Sequence, residues 1–553
     1  MQSVNSKNGF NLGTVFTRLA AVNPDRDCLV WGDKRWTYAE MLERSRRLAS
    51  FLFDRGYGAH TEREDLMGHE SGQDHLAIAL YNSNQYLESM LGSYLARVAP
   101  FNVNYRYVGD ELRYLFNDAK PKVLVYHAAL APVIAEIRGE VPSIEVYLQV
   151  ADESGNALLD GAVDYEEALA LGSPDGPPVS GSPDDLYVLY TGGTTGMPKG
   201  VLWRQHDIYM NCMGGRKIGS WEAVTSYDDV ERNAREGFGL NVMILPPLMH
   251  GAAQWSSFIM MGDGATLVLP AKPRSQDPID VLRTIERERV NTFNCVGDAM
   301  LRPLLDELDR GDYDVSSLLA VANGGAPLTA ALKARTAERL PSVIISDSVG
   351  SSETGAQMVS NAATGSQQGQ FRPGPGAVVV SEELDRLLNP GEDALGWLAQ
   401  SGWVPLGYLG DQAKTEKTFP VIHDQRYAVP GDRARLLESG EIELLGRDSV
   451  TINSGGEKIF AEEVEGAIAG HPAVFDVVVT GRPSERWGSE VVAVVAFNPG
   501  TSATREELSE WASNHIARYK LPKDVVVVDK IVRSPAGKAD YRWAKEQATK
   551  PSP

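Results

Sequence analysis

Tyr190-Thr191-Gly192-Gly193-Thr194-Thr195-Gly196-Met197-Pro198-Lys199-Gly200 follows directly on an apolar run, residues 186–190, whose composition is that of a short buried strand. The quoted stretch packs glycines, threonine hydroxyls and a lysine into one turn-forming segment. Glycine lets successive backbone N–H groups face an anion, and hydroxyls add donors. The lysine neutralises charge that would otherwise repel an incoming carboxylate. Such a loop suits a polyphosphate. The Walker pattern Gly-x4-Gly-Lys-Ser/Thr is absent, so the loop belongs to a different class of nucleotide site.

Outward from this loop the chain alternates two periodicities. Residues 36–53 carry apolar positions at helical spacing, whereas 123–126, 188–190, 242–245 and 266–269 are short apolar runs expected as buried strands. That alternation predicts a layered α/β architecture. At 553 residues the chain exceeds what one hydrophobic core supports, so two or more packed units are expected. Turn formers crowd residues 172–183, which are expected to link two subdomains. Two polar insertions, 57–75 with His60, His69 and His75, and 222–236, read as an exposed loop and as a charged, helical or mobile segment. The histidines lack zinc-type spacing.

Composition excludes some classes. A formal charge of −21 disfavours a phosphate-backbone binder, so no nucleic acid partner is expected. Cys28, Cys212 and Cys295 lie far apart with no CxxC pair, which signals neither a disulfide framework nor a zinc site and fits a reducing, cytoplasmic compartment. No stretch approaches the apolar length of a transmembrane segment, and Pro551-Ser552-Pro553 is no peroxisomal address.

Further motifs follow the loop in order. Pro246-Pro247-Leu248-Met249-His250-Gly251 leaves a strand-like run, and Asn323-Gly324-Gly325-Ala326-Pro327-Leu328 is a second glycine-bearing turn. Then come Asp347-Ser348-Val349-Gly350-Ser351-Ser352-Glu353-Thr354-Gly355, Tyr427-Ala428-Val429-Pro430-Gly431-Asp432 and Gly446-Arg447. Near the C-terminus stand Asn453-Ser454-Gly455-Gly456-Glu457-Lys458 and Arg533-Ser534-Pro535-Ala536-Gly537-Lys538. In type and order these resemble the adenylate-forming superfamily of acyl-CoA synthetases, firefly-type luciferases and peptide-synthetase adenylation domains.

The resemblance implies a large N-terminal adenylation domain of several layered α/β subdomains, residues 1–447, and a small mobile α+β domain, 448–553, pivoting near Ser449. It implies ATP, Mg2+ and coenzyme A as cofactors, and a carboxylic acid as the other substrate. By the same resemblance Thr191, Gly192, Gly193, Thr194, Thr195, Gly196 and Lys199 hold phosphates, and His250 borders the acyl pocket. Gly324, Gly325, Ala326 and Pro327, with Ser348, Val349, Gly350 and Ser352, line the adenine. Glu353, with Thr191, is the magnesium candidate; Asp432 and Arg447 meet ribose and phosphate; Gly455 and Gly456 wall the pantetheine tunnel. Lys538 is the catalytic lysine of adenylation.

Val349 stands where the family carries an aromatic residue, Ser352 replaces a threonine, and Ser449 replaces the usual hinge Asp or Lys. Small residues at His250-Gly251-Ala252-Ala253 and Val349-Gly350 stand where the resemblance places the acyl pocket, which implies room for a wide apolar acid. Together with Asn102-Val103-Asn104-Tyr105-Arg106-Tyr107 they resemble actinobacterial fatty-acyl and steroid side-chain CoA synthetases. The expected reaction is carboxylic acid plus ATP plus CoA to acyl-CoA, AMP and pyrophosphate through an acyl-adenylate. The alternative is a fatty-acid AMP ligase or another adenylate-forming enzyme that does not use CoA. Nothing in the chain sets its oligomeric state, and a homo-oligomer stays open.

Overall fold

The apolar run before the glycine-rich stretch is the strand Leu186–Thr191, buried along its length except at Thr191. It lies parallel to Ala99–Asn102 and antiparallel to Lys199–Arg204, with Thr191 opposite Lys199. His75–Ala79, Val123–His127, Val146–Val150 and Val163–Asp164 continue the sheet as parallel neighbours. The protein is described here from a computed structural model covering residues 9–191, 198–272, 274–326, 328–361, 369–447, 450–454, 457–484, 488–533 and 538–550.

A second sheet runs parallel through Asp27–Trp31, Thr266–Leu269, Asn241–Ile244, Thr292–Cys295, Ala320–Gly324 and Ile344–Ser351. Gly355–Asn361 then turns back antiparallel and leads into antiparallel strands that end with Asp432–Leu436 and Ile442–Arg447. Parallel strands must be covered on both faces, which is why Asp27–Trp31, Thr266–Leu269 and Asn241–Ile244 are mostly apolar and buried. Helices Tyr38–Phe53, Asn84–Leu95 and Gly251–Gly262 supply that cover, and Leu48, Leu91 and Phe258 share one buried cluster with Leu189 and Ile244 of the two sheets.

Beyond these lies a small α+β domain. Val474–Ser484, Gly488–Phe497 and Asp524–Val527 form its sheet, covered by Ala461–Ala469, Arg505–Ala512 and Tyr541–Thr549. Ile459, Val464, Val479, Val495 and Leu508 make a core of its own. The fold class expected from the sequence, a large layered α/β domain and a small C-terminal α+β domain, is what the chain adopts.

Local differences have local causes. The helix expected over 36–53 begins at Tyr38, because Thr37 accepts the Glu40 N–H while Glu40 accepts the Thr37 N–H, a capping box that closes the helix and leaves Trp36 in the strand Lys34–Thr37. His75, placed by sequence in an exposed loop, is a buried strand residue whose ring nitrogens contact the Ala119 carbonyl and Ser71 Oγ. The charged insertion resolves into the helix Tyr227–Glu236, whose Val230 and Ala234 are buried and whose Glu231 pairs with Arg18. Residues 172–184 form no helix or strand. Among the described residues no helix is long and apolar enough to cross a membrane.

Candidate active site

Parallel sheets present loops at the carboxyl ends of their strands, and that is where ligands meet an open α/β sheet. Thr191 ends Leu186–Thr191, Gly324 ends Ala320–Gly324, and His250 follows Asn241–Ile244. Asn102 fastens two of these ends together. Its Nδ2 donates to the Tyr190 carbonyl at 2.8 Å and the Met249 carbonyl at 2.7 Å, while its Oδ1 accepts the Tyr190 N–H at 2.8 Å. A second buried asparagine, Asn82, bonds the Pro246 carbonyl and the Leu248 N–H. The segment carrying His250 is therefore held by side chains of the other sheet.

Asn323 organises the next turn. It receives the Gly297 N–H, and its Nδ2 bonds the Ala326 carbonyl and Asp347. Gly324 lies opposite Ser348, whose Oγ donates to the Asn323 carbonyl at 2.9 Å; a Cβ on Gly324 would sit 2.7 Å from that oxygen, so the close approach needs glycine. Ser348 and Gly350 take the exposed positions of Ile344–Ser351. Val349 lies on the other face, packed against the apolar cluster of Met358, Leu398 and Ile442.

Glu353 sits in the hairpin joining Ile344–Ser351 to Gly355–Asn361. The buried Thr354 hydroxyl accepts the Ser351 N–H, the Ser352 carbonyl accepts the indole N–H of Trp203, and Glu353 N–H reaches Ser351 Oγ. Its carboxylate is then fixed from far away in the chain. The Tyr408 hydroxyl donates to Glu353 Oε1 at 2.8 Å, and no other hydrogen bond reaches this carboxylate among the described residues. Burial and the charge of Glu353 push the Tyr408 phenol upward, so it stays a donor.

The third group brings the C-terminal domain in. Asp432 and Arg447 are opposite one another across two strands, with Arg447 Nε 3.1 Å from Asp432 Oδ1. Asp432 raises the guanidinium further. Lys538 is an exposed residue whose ammonium is nonetheless partly desolvated by the protein around it. That desolvation and the charge of Arg447 lower its pKa, against the opposing pull of Glu353 and Asp432. Lys538 also acts on His250: burial first, then Lys538 and Arg106, lower the imidazole to about 4, so it is neutral at pH 7. His250 Nε2 is buried with no hydrogen-bond partner among the described residues.

Lys538 thus feels the charges of Glu353, Asp432 and Arg447, and its own charge bears on His250, although these residues come from widely separated segments. Lys199, at the far end of the glycine-rich stretch, pairs with Asp411. Gly192, Gly193, Thr194, Thr195 and Gly196, with Pro327, Ser449, Gly455 and Gly456, lie outside the described residues. The strands flanking Gly455 and Gly456, Ile452–Ser454 and Glu457–Ile459, pair antiparallel.

Sequence reasoning missed Tyr408, Asp411 and the structural use of Asn102. Asn102 was read only as part of a family-like stretch, and Tyr408 lies 55 residues from Glu353, so no local spacing connects them. The donor set also bears on a metal. No group of three or more His, Cys, Asp or Glu among the described residues could hold an ion by itself. A lone carboxylate with one oxygen free of hydrogen bonds among the described residues fits a hard cation whose other ligands are phosphate oxygens and water.

Strand ends, glycine turns and converging charges of this kind define an adenylate-forming enzyme. The AMP-binding enzyme family matches residues 16–408 and the AMP-binding enzyme C-terminal domain matches 463–538; the chain belongs to this family and is an acid–thiol ligase. It is 58% identical over 540 residues to the medium-chain acyl-CoA ligase Mig of Mycobacterium avium, covering 98% of each chain. It is 40% identical to a medium/long-chain-fatty-acid–CoA/3-oxocholest-4-en-26-oate–CoA ligase of Mycobacterium tuberculosis, covering 95% of this chain and 93% of that one. Among solved structures, an anthranilate CoA ligase in complex with anthranoyl-AMP superposes with a TM-score of 0.81 at 20% identity, covering 100% of this chain and 99% of the other.

Proposed function

We propose that this ligase activates a medium- to long-chain fatty acid or a sterol side-chain acid as its adenylate and passes the acyl group to CoA. The observation that carries the residue assignments is the position of Lys538, whose ammonium lies within electrostatic reach of Glu353, Asp432, Arg447 and His250.

A carboxylate at neutral pH is a poor electrophile with no usable leaving group, so direct attack by a thiol is negligibly slow. In the first half-reaction a carboxylate oxygen attacks the α-phosphorus, and the bond to the bridging oxygen breaks as pyrophosphate leaves with its electron pair. Positioning and charge neutralisation carry such a step, with little covalent work for side chains. Lys538 faces the charge that builds at the α-phosphate, and Thr191 and Lys199 with the glycine-rich loop hold the β- and γ-phosphates. Asp432 accepts the ribose hydroxyls, and Arg447, oriented by Asp432, lies beside the phosphate. Gly324, Gly325 and Ala326, with Ser348 and Gly350, offer a flat backbone wall for the adenine.

Glu353 would hold magnesium together with phosphate oxygens, and the ion would supply neutralisation of the polyphosphate. Neutral His250 borders the acyl chain, where an uncharged ring favours an apolar acid. In the second half-reaction the thiol attacks the mixed anhydride and AMP leaves; the C-terminal domain would turn about Ser449 and exchange Lys538 for the Gly455-Gly456 stretch.

One relative whose name states a medium-chain acyl group and one whose name states medium- and long-chain fatty acids and 3-oxocholest-4-en-26-oate support the acid class. The test is a panel of fatty, aromatic and sterol-derived acids incubated with the purified chain, ATP, Mg2+ and CoA, with the thioester quantified by mass. Medium- and long-chain or sterol-derived thioesters are expected. Release of AMP and pyrophosphate without thioester would instead indicate a ligase that hands its adenylate to another acceptor.

A further inference from the structure

We propose that Lys414 is a second lysine for the phosphate end of the nucleotide, binding the polyphosphate of ATP and the pyrophosphate that leaves it. The proposal rests on the ligase reading of the same site.

Lys414 belongs to the helix Gln412–Thr418, whose N-cap Asp411 accepts the Lys414 backbone N–H at 3.0 Å. The other Asp411 oxygen is taken by the ammonium of Lys199, the lysine that closes the glycine-rich stretch. Lys414 is left without an ion pair among the described residues. Its ammonium instead lies 4.4 Å from the centre of the Tyr408 ring, and the hydroxyl of that same tyrosine holds Glu353. Asp411 therefore takes the ammonium of Lys199 on one oxygen and only the backbone of Lys414 on the other. Partial burial and repulsion from Lys199 both disfavour the Lys414 cation, while Glu353 and Asp411 favour it. A multivalent anion reaching both ammonium groups would relieve the desolvation and the repulsion together.

The backbone that carries Lys414 is tied to the strand beside it. Thr415 Oγ1 donates to the Asp411 carbonyl at 2.7 Å and accepts the Tyr408 N–H at 2.9 Å. Tyr408 in turn pairs with Val201 on the strand that starts at Lys199. Strand, tyrosine and helix form one unit, which keeps Lys414 between the end of the phosphate loop and the carboxylate assigned to magnesium. As the α-phosphorus–oxygen bond breaks, negative charge accumulates on the departing pyrophosphate; a cation already in place lowers that barrier without reorganising. Lys414 keeps its proton throughout.

The experiment uses the full chain as wild type, Lys414→Met and Lys414→Arg. Calorimetry first measures binding of magnesium pyrophosphate and of magnesium ATP; this needs no knowledge of the acid and no turnover, so it reads the lysine even if the acid assignment fails. Half-reactions follow, namely pyrophosphate-dependent ATP formation from supplied acyl-adenylate, and thioester formation from the same adenylate with CoA. For Lys414→Met we expect binding of pyrophosphate and ATP weakened tenfold or more, a matching loss in pyrophosphorolysis, and thioester formation within twofold of wild type. Lys414→Arg should recover most of the binding. Unchanged pyrophosphate affinity in a folded Lys414→Met protein would overturn the proposal, and so would equal losses in both half-reactions, which a merely structural lysine would give.

Discussion

Replacing Tyr408 by Phe removes one oxygen and leaves the ring, and the structure says what that oxygen does. The side chain is 2% exposed and its hydroxyl is the donor that fixes Glu353 Oε1 at 2.8 Å. Hydrogen bonds to charged groups contribute about 1.5–3 kcal/mol. Glu353 is partly open to solvent, so water can replace the lost donor and the fold should persist. What is lost is the orientation of the carboxylate toward magnesium on ATP. If the whole contribution appears in the transition state for adenylation, the rate falls about 10- to 100-fold. A rapid-quench measurement of acyl-adenylate across a range of Mg2+ concentrations reads this directly: Tyr408→Phe should need more Mg2+ and still fall short of the wild-type rate at saturation. Thioester formation from supplied adenylate should not change. Adenylation within twofold of wild type at every Mg2+ concentration would refute the reasoning, as would matched losses in the two half-reactions.

Other outcomes follow from the same geometry. Lys538→Ala removes the cation aimed at the α-phosphate and should cut adenylation about 10²–10³-fold, while thioester formation from supplied adenylate survives; equal loss in both steps of a folded mutant would sink its assignment to adenylation. Val349→Tyr overfills the cluster of Met358, Leu398 and Ile442 and should cost about 1–3 kcal/mol by denaturant unfolding, with straight-chain and ring-bearing acids losing activity in parallel; a loss confined to ring-bearing acids would show that Val349 gates the acyl pocket instead. Glu465 accepts the Val479 N–H and a bond from Tyr541, and burial with the nearby Glu462 lifts its carboxyl to about 8. An acid whose pKa is raised on folding binds more protons folded than unfolded, so stability should fall as pH rises from the usual carboxylate range through about 8, then level off. Glu465→Gln should flatten that slope in the pH dependence of Tm, and an unchanged slope would exclude Glu465 as its source.

The parts of this account that sequence carried are those written in local composition. Leu186–Thr191 and Thr266–Leu269 are short apolar runs and are buried strands, whereas the glycines and hydroxyls after Thr191, which read as a phosphate-type loop, lie outside the described residues. Glu353, Asp432 and Lys538 could be named as candidates because each stands in a short motif whose order matches a family. What escaped is carried by contacts across long separations. Asn102 acts through Tyr190 and Met249, and Tyr408 acts through Glu353, so neither has a neighbour in sequence that hints at its use. Val349 marks another boundary. A missing aromatic ring reads as space in a ligand site, but strand alternation turns its side chain into an apolar cluster while Ser348 and Gly350 take the open face. His75 is the same lesson in reverse, a polar residue among polar neighbours that its strand nonetheless buries.

The central claim is that the acid is activated as an adenylate before CoA enters. It is tested most directly by giving the purified chain a fatty or sterol side-chain acid labelled with 18O in both carboxylate oxygens, together with ATP, Mg2+ and CoA, and recovering the AMP and the thioester for mass spectrometry. Attack of the carboxylate on the α-phosphorus leaves one labelled oxygen on the phosphate of AMP and the other in the thioester carbonyl. That distribution, one label in each product, is the result predicted; AMP free of label, or ADP and phosphate as the nucleotide products, would contradict it.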